Sequence, residues 1–273
     1  MELIATYRSD GYRALADAIL AFFDRRADLQ RRGVAFLSGE PEPGGAPGSR
    51  AADAAVTTRA AGGSDGPAGA LSATGLAAMA GQIAAGEAAA GPAAGPSAVN
   101  QPADGRRPAK VSTDISLVAI DRSDPEAFAL AEVILRGVQA GLERYLQERP
   151  LLRQCCPEQN LFVLPIFNLQ RYAPGEGFYA WHADWTTSDE ATEPIRRVLA
   201  WILYCNDVPD GGTEFHWQNH QVEAERGVLA IFPAGLSHLH RGRISQQHTK
   251  TIATGWINAG RREDWLERLR REG

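Results

Sequence analysis

Apolar residues first recur along this chain at helical spacing. Tyr12, Leu15, Ile19 and Phe22 or Phe23 share one stripe and predict an amphipathic helix, followed by the short apolar piece GVAFLSG. A longer helical pattern occupies RSDPEAFALAEVILRGVQAGLERYLQERP. Asp124 suits its cap, Pro125 its first position and Pro150 its end, while Val133, Leu135, Val138, Leu142 and Leu146 supply much of a buried stripe. Around it the period shortens. VSTDISLVAI and LFVLPIFNLQRY read as strands, and RVLAWILYCN, apolar on both faces, reads as a central one. GGTEFHW, GVLAIF, SHLHRGRI and TKTIATGWIN follow at short spacing between Gly, Pro and Asn turns, and REDWLERLRRE predicts a terminal helix. Many short strands with flanking helices predict a mainly β, α+β fold with a core of jelly-roll type.

Between these regions the pattern disappears. Residues 39–108 are Ala, Gly, Pro and Ser in bulk, and no Phe, Trp or Tyr occurs between Phe36 and Phe128. Such a stretch buries too little apolar surface to offset its ordering entropy, so it is expected to be a disordered insert. The chain therefore divides into an N-terminal helical segment (1–38), the insert (39–108) and a folded domain (109–273).

Composition narrows the function classes. A net charge of -5 gives no reason to expect nucleic acid or an anionic membrane as partner. No run of about 18 apolar residues predicts a membrane span. Three cysteines, two of them adjacent (Cys155, Cys156 and Cys205), are a poor start for a disulfide framework. With no basic, cleavable leader at the N-terminus, a cytoplasmic location is expected. Nothing in the pattern bears on oligomeric state.

All six histidines lie between positions 182 and 248. In the stretch FYAWHADWTT, His182 and Asp184 are two apart. In extended backbone such residues point to one side, about 6 to 7 Å apart, and can offer one nitrogen and one oxygen to an ion. A third ligand must come from elsewhere. Two imidazoles and a carboxylate on one face of an ion leave the opposite positions open, as in non-haem Fe(II) oxygenases; zinc hydrolases also leave a position open. Further on, His240 precedes a turn and Lys250 stands ten residues later in the next strand, so a hairpin would turn both toward one cavity.

RYAPGEGFYAWHADW, NDVPDGGTEFHW and FPAGLSHLHRG with TKTIATGW, in that order over about Asn168 to Trp256, resemble the prolyl-4-hydroxylase-like branch of the 2-oxoglutarate and Fe(II)-dependent dioxygenases. The resemblance implies a double-stranded β-helix. It implies His182, Asp184 and His240 as iron ligands, Lys250 as the basic residue holding the far carboxylate of 2-oxoglutarate, and Tyr172 as a further co-substrate contact. It also implies O2 as oxidant, ascorbate as an accessory reductant, and hydroxylation of a C–H bond with release of succinate and CO2. The substrate it leaves open: peptide, protein or small molecule.

Alternation offers separate support. Asn168, Gln170 and Tyr172 share one strand face, and Lys250, Ile252, Thr254 and Trp256 share another. A lysine pointing into a barrel needs an anion, which a dicarboxylate supplies; alone, such a lysine reads better as one that snorkels to water at the mouth, and only the other motifs together reverse that. His238 rivals His240, since both share a strand face. His216 and His220 read as rim or turn residues, and His248 as a solvated turn residue. Gly211 and Gly212 read as a strand-entry turn, with Thr213 toward the cavity. Trp181, Trp185 and Trp217 are candidates for an aromatic wall or for plain rim packing. A cupin-like zinc or manganese enzyme without 2-oxoglutarate, and a catalytically silent binding module, are the competing readings.

Overall fold

The computed structural model describes residues 3–35, 108–155, 160–184 and 197–272. The Ala/Gly/Pro-rich stretch expected to be disordered lies outside these residues, as do Cys156 and Trp185.

Twelve strands and four helices form the described fold. In chain order they are β1 (Ala5–Arg8), α1 (Asp10–Arg25), β2 (Arg31–Ala35), β3 (Lys110–Val118), α2 (Pro125–Gln147), α3 (Pro150–Cys155), β4 (Leu161–Val163), β5 (Ile166–Tyr172) and β6 (Gly177–Phe178). There follow β7 (Arg197–Tyr204), β8 (Val208–Phe215), β9 (His220–Ala224), β10 (Val228–Pro233), β11 (His240–Gly242), β12 (Lys250–Ala259) and α4 (Arg262–Glu272). The major sheet runs β1-β10-β7-β12-β5-β3-β2, with β4 on β12 and β6 on β3. The minor sheet is β11-β8-β9. All pairings are antiparallel. This is the expected jelly-roll architecture: a curled antiparallel sheet, a smaller sheet and a few helices.

Alternation on β7 separates two cores. Leu199, Trp201 and Leu203 face α1 and α2, in a cluster with Ile19, Phe22, Phe23, Val138 and Leu142. Ala200, Ile202 and Tyr204 face the other way, in a cluster with Phe215 and Val222 of the minor sheet. A strand buried on both faces reads as continuously apolar, which is why RVLAWILYCN looked central.

The N-terminal segment carries two strands besides its helix. β1 pairs with β10 and β2 with β3, so residues 5–35 supply both outer strands of the major sheet and are built into the same core as the rest. Four-residue and five-residue strands flanked by arginines carry too few alternations to register as a period.

The long helix begins where its cap predicts. Asp124 Oδ1 accepts from the N–H groups of Glu126 and Ala127 at 3.1 and 3.0 Å. Its buried stripe is Ala131, Ile134, Val138, Leu142, Tyr145 and Leu146. Val133, expected in that stripe, is 46% exposed. Ile134 occupies the 3.6-residue repeat, which swings its neighbour about 100° away. Gly141 permits the close approach of α2 to the sheet, since a Cβ there would lie 2.5 Å from Leu229 Cδ2. LFVLPIFNLQRY forms two strands, broken at the Leu164-Pro165 step.

Candidate active site

The chain bends at Ala180 after β6, and His182 then bridges to His240 of β11. This brings the side chains of His182, Asp184 and His240 together, with one donor atom from each lying within 4.8 Å of the others. Asp184 stands between the rings: its Oδ1 is 3.9 Å from His182 Nε2, and its Oδ2 is 3.6 Å from His240 Nε2. The far ring nitrogens fix the tautomers. His182 Nδ1 lies 3.1 Å from Ala180 O, and His240 Nδ1 lies 3.0 Å from His238 O. A carbonyl can only accept, so each Nδ1 carries a proton and each Nε2 is the nitrogen on the carboxylate's side. The Phe178 ring stacks on His182, with centroids 3.6 Å apart. Burial, reinforced by the neighbouring His240, pushes the His182 pKa down to about 3, so the ring is neutral at physiological pH. Imidazoles whose Nδ1 is held by a backbone carbonyl, leaving Nε2 to face an ion, are metal-ligand geometry.

His238 lies outside this group. It is buried with Nδ1 3.0 Å from Ser237 Oγ, and its carbonyl serves instead as the acceptor that orients His240.

The cavity lined by His182, Asp184 and His240 also includes Tyr172, Lys250, Thr213 and Trp256. Lys250 is 5% exposed. Its Nζ donates to Gly211 O at 2.8 Å and to Arg243 O at 3.0 Å, and lies 5.3 Å from the Tyr172 ring centroid. Burial, with the charge of Arg243, pushes its pKa down to about 8, against a smaller upward pull from Asp210. Tyr172 donates its hydroxyl to Gln170 Oε1 at 2.6 Å. His240 and Lys250 do not form a hairpin. β12 already has β5 and β7 on its two edges, so β11 joins the minor sheet through β8, and the two residues belong to opposite sheets.

Residues 167–258 match the family described as the 2OG-Fe(II) oxygenase superfamily. The chain carries a 2OG-Fe(II) oxygenase domain. The oxygenase is also similar in fold to solved prolyl hydroxylases. A viral collagen prolyl hydroxylase from Paramecium Bursaria Chlorella virus-1, in complex with 2OG, shares 20% identity, with 55% of this chain and 80% of that chain covered at a TM-score of 0.43. For a prolyl-4-hydroxylase from Pseudomonas putida the values are 13%, 94%, 92% and 0.47. A Trichoplax adhaerens prolyl hydroxylase, in complex with a hypoxia inducible factor oxygen degradation domain peptide fragment, gives 15%, 58%, 65% and 0.35. No curated protein matches the chain. Fe(II), 2-oxoglutarate and O2 are the reagents that the matched family's description implies. The donor set of this oxygenase fits the metal, since two nitrogens and one carboxylate suit Fe(II) and leave coordination positions free.

Two features of the oxygenase were not singled out from its sequence. Phe178 is one; its role depends on the turn that folds it back over His182. Arg197 is the other. Its guanidinium carbon lies 3.8 Å from the Trp256 ring centroid, and burial lowers its pKa against an opposing pull from Asp184. Residue alternation had placed Trp256 on the Lys250 face, but nothing local pairs it with an arginine almost sixty positions earlier. Of the other histidines, His216 sits at the rim in tilted contact with Trp181, His220 opens β9, and exposed His248 stands in the turn before Lys250, 3.4 Å from Asp210. Thr213 faces the cavity as expected, 2.6 Å from the Tyr204 hydroxyl. Gly211 and Gly212 lie within β8 rather than in a turn leading to it, next to a register shift.

Proposed function

We propose that this oxygenase hydroxylates a C–H bond of a peptide or protein, using iron held by His182, Asp184 and His240. In this reading Lys250 anchors the far carboxylate of 2-oxoglutarate, and Tyr172 packs beside it. The observation that carries the reading is one cavity with two opposed functions: an oriented His-Asp-His donor set and a buried lysine ammonium. Bound iron with 2-oxoglutarate would supply the oxidising power for C–H hydroxylation. The chain's own residues do the rest. His182 and His240 present Nε2 atoms, their rings oriented by Ala180 O and His238 O. Asp184 offers an oxygen toward each ring. Lys250, itself buried, supplies the positive charge that a dicarboxylate needs. The apolar walls Ile202, Ile252 and Phe178 exclude bulk water from the reacting region. A peptide or protein substrate is supported by the rim, where Trp217 is exposed and Trp181, His216 and Arg241 stand in contact with one another's rings.

The test begins anaerobically. Addition of 2-oxoglutarate to the Fe(II)-loaded chain should produce a weak visible charge-transfer band, and O2 should then convert the keto acid to succinate. Metal-loaded protein that responds to neither would favour the cupin-like reading without 2-oxoglutarate.

A further inference from the structure

Outside the donor set, every hydroxyl, amine or carboxamide lining the cavity makes a hydrogen bond within the protein, with one exception. Thr254 Oγ1 donates to Trp201 O at 2.9 Å, and Tyr204 and Thr213 share a bond of 2.6 Å. The Tyr172 hydroxyl donates to Gln170 Oε1, and Lys250 Nζ donates to two backbone carbonyls. The exception is Asn168. It lines the same cavity and is only 5% exposed, yet its carboxamide meets no hydrogen-bond partner among the described residues. A carboxamide withdrawn from bulk water with neither end satisfied destabilises the fold, and a leucine of similar size would not. An unmet polar group of this kind, aimed into a cavity, calls for a ligand that completes its bonding.

Its place along the strands puts Asn168 beyond the co-substrate. A Cβ at Gly242 would lie 3.4 Å from Lys250 Nζ, so the lysine head stands beside Gly242 of β11, two residues from the donor His240. On the opposite wall Tyr172 is the register partner of Lys250, Gln170 of Ile252, and Asn168 of Thr254. Two residues of strand cover about 6.6 Å and four cover about 13 Å. A five-carbon diacid is about 7 Å from end to end at ordinary C–C lengths. Held at Lys250, it is used up within two residues of strand, and the Asn168 level lies two residues further on. At that level Ser116, Asn168, Thr254 and Ile202 stand in register across four strands, beginning at exposed Ser116 on β3. The row thus leads from solvent into the cavity.

We propose that Asn168 is a specificity-determining residue that reads the backbone of a peptide substrate. Its Nδ2 donates to the C=O, and its Oδ1 accepts from the N–H, of one extended residue. The proposal rests on the iron and 2-oxoglutarate reading above and deepens it. An extended residue turns its own N–H and C=O to one side, as in the closely spaced pairs of an antiparallel ladder. A carboxamide carries the complementary acceptor and donor side by side, whereas a carboxylate or an ether on the substrate would use only half of it. Proline has no N–H to give, so the residue held by Asn168 is not proline. Main-chain bonds of this kind select a peptide over other molecules without selecting its side chains.

The Fe(II)-loaded full-length chain is given 2-oxoglutarate, O2 and blocked tripeptides, acetyl-Ala-Xaa-Ala-amide with each coded residue in turn at Xaa, and succinate is followed. At least one peptide should raise succinate formation above the peptide-free rate. The most active is remade with an ester oxygen in place of each backbone N–H in turn. The parent chain should lose about tenfold in kcat/KM for the ester at one position, the scale of a hydrogen bond lost from a buried partner. In Asn168→Leu, amide and ester at that position should be used equally well, with the 2-oxoglutarate dissociation constant, read from the visible band without peptide, unchanged. Asn168→Ala gives the same comparison if the leucine variant does not fold. Esters tolerated everywhere by the parent overturn the proposal, as does a variant that still distinguishes amide from ester. Weakened 2-oxoglutarate binding in the variants overturns it too, by making Asn168 a co-substrate contact. A chain that shows the band and slow succinate release but responds to no peptide overturns the proposal and leaves the parent reading standing. A chain that shows neither removes the parent reading, and this one with it.

Discussion

His182 and His240 exchange two backbone hydrogen bonds, the N–H of each donating to the carbonyl of the other at 3.0 and 2.9 Å. This bridge lies outside both sheets' regular ladders and is made by main chain alone. It joins the segment carrying the first two donors to the strand carrying the third. The donor set is therefore assembled by backbone and completed by side chains.

A first prediction follows from that division. His182→Ala and Asp184→Ala remove donors but keep the bridge, so both should abolish succinate formation with little loss of fold. Thermal unfolding followed by circular dichroism should stay within a few degrees of the parent, on the order of 1 kcal/mol for a chain of this size. A gross loss of structure in both variants would mean that the side chains, rather than the bridge, hold the site together.

Lys250 gives a prediction with a sign. Its amine titrates near 8 in the free protein because burial disfavours the charge. Below that pH the ammonium is present to meet a dicarboxylate; above it, binding must first restore the proton. The dissociation constant of 2-oxoglutarate should be flat from pH 6.5 to about 7.5 and rise above about 8, by up to tenfold per unit. Lys250→Ala should lose this dependence and weaken binding roughly tenfold to a hundredfold, the worth of a hydrogen bond to a charged group. Calorimetric titration of the Fe(II)-loaded chain across pH measures both, and an unaltered affinity in Lys250→Ala would remove the lysine from this role.

The helix cap provides a test of stability away from the site. Asp124 accepts two helix N–H groups and also pairs with Arg26 from the end of α1, with Oδ2 2.5 Å from Nη2. The hydrogen bond from Arg26, then those from the backbone, hold its pKa below the usual carboxylate value. A lowered carboxylate pKa stabilises the fold above the unfolded-state value, near 4, and that contribution disappears as pH falls through the folded value. Asp124→Ala should cost about 1 kcal/mol at neutral pH. The gap between parent and variant should narrow as pH falls below about 4, as read by urea melts from pH 7 down into acid.

What the sequence disclosed and what it withheld follow the range of each interaction. The Asp124 cap, the β7 double alternation and the His182-X-Asp184 pair are local patterns, and each appears in the structure where the residues indicated. The choice of His240 over His238 was not local. Both share a strand face in the linear pattern, but a 3-10 turn at Leu236–His238 breaks the alternation and sends only His240 onto β11 toward Asp184. The pairing of His240 with Lys250 across two sheets, rather than along a hairpin, depends on which edges of β12 were already taken. Phe178 over His182 and Arg197 over Trp256 are contacts between segments that the sequence gives no reason to bring together.

Gly212 ties the strand geometry to the co-substrate end of the cavity. A Cβ at this position would collide with the carbonyl oxygen of Val222 on β9, a backbone atom that cannot rotate away. Its own carbonyl accepts from Arg243 N at 2.8 Å, so the residue is fixed from both sides. On either flank are the Gly211 carbonyl, which accepts from Lys250, and Thr213, which meets the Tyr204 hydroxyl. Gly212→Ala must therefore push β8 off β9 and carry both neighbours with it. The cost should be about 1 to 3 kcal/mol, as for other overpacked sites. Because the displaced carbonyl helps to orient the Lys250 ammonium, 2-oxoglutarate affinity should fall as well, while Fe(II) binding, which depends on the His182–His240 bridge, should remain. A variant that loses both together, measured by metal titration and by the visible band, would place the disturbance in the whole minor sheet instead of at the lysine.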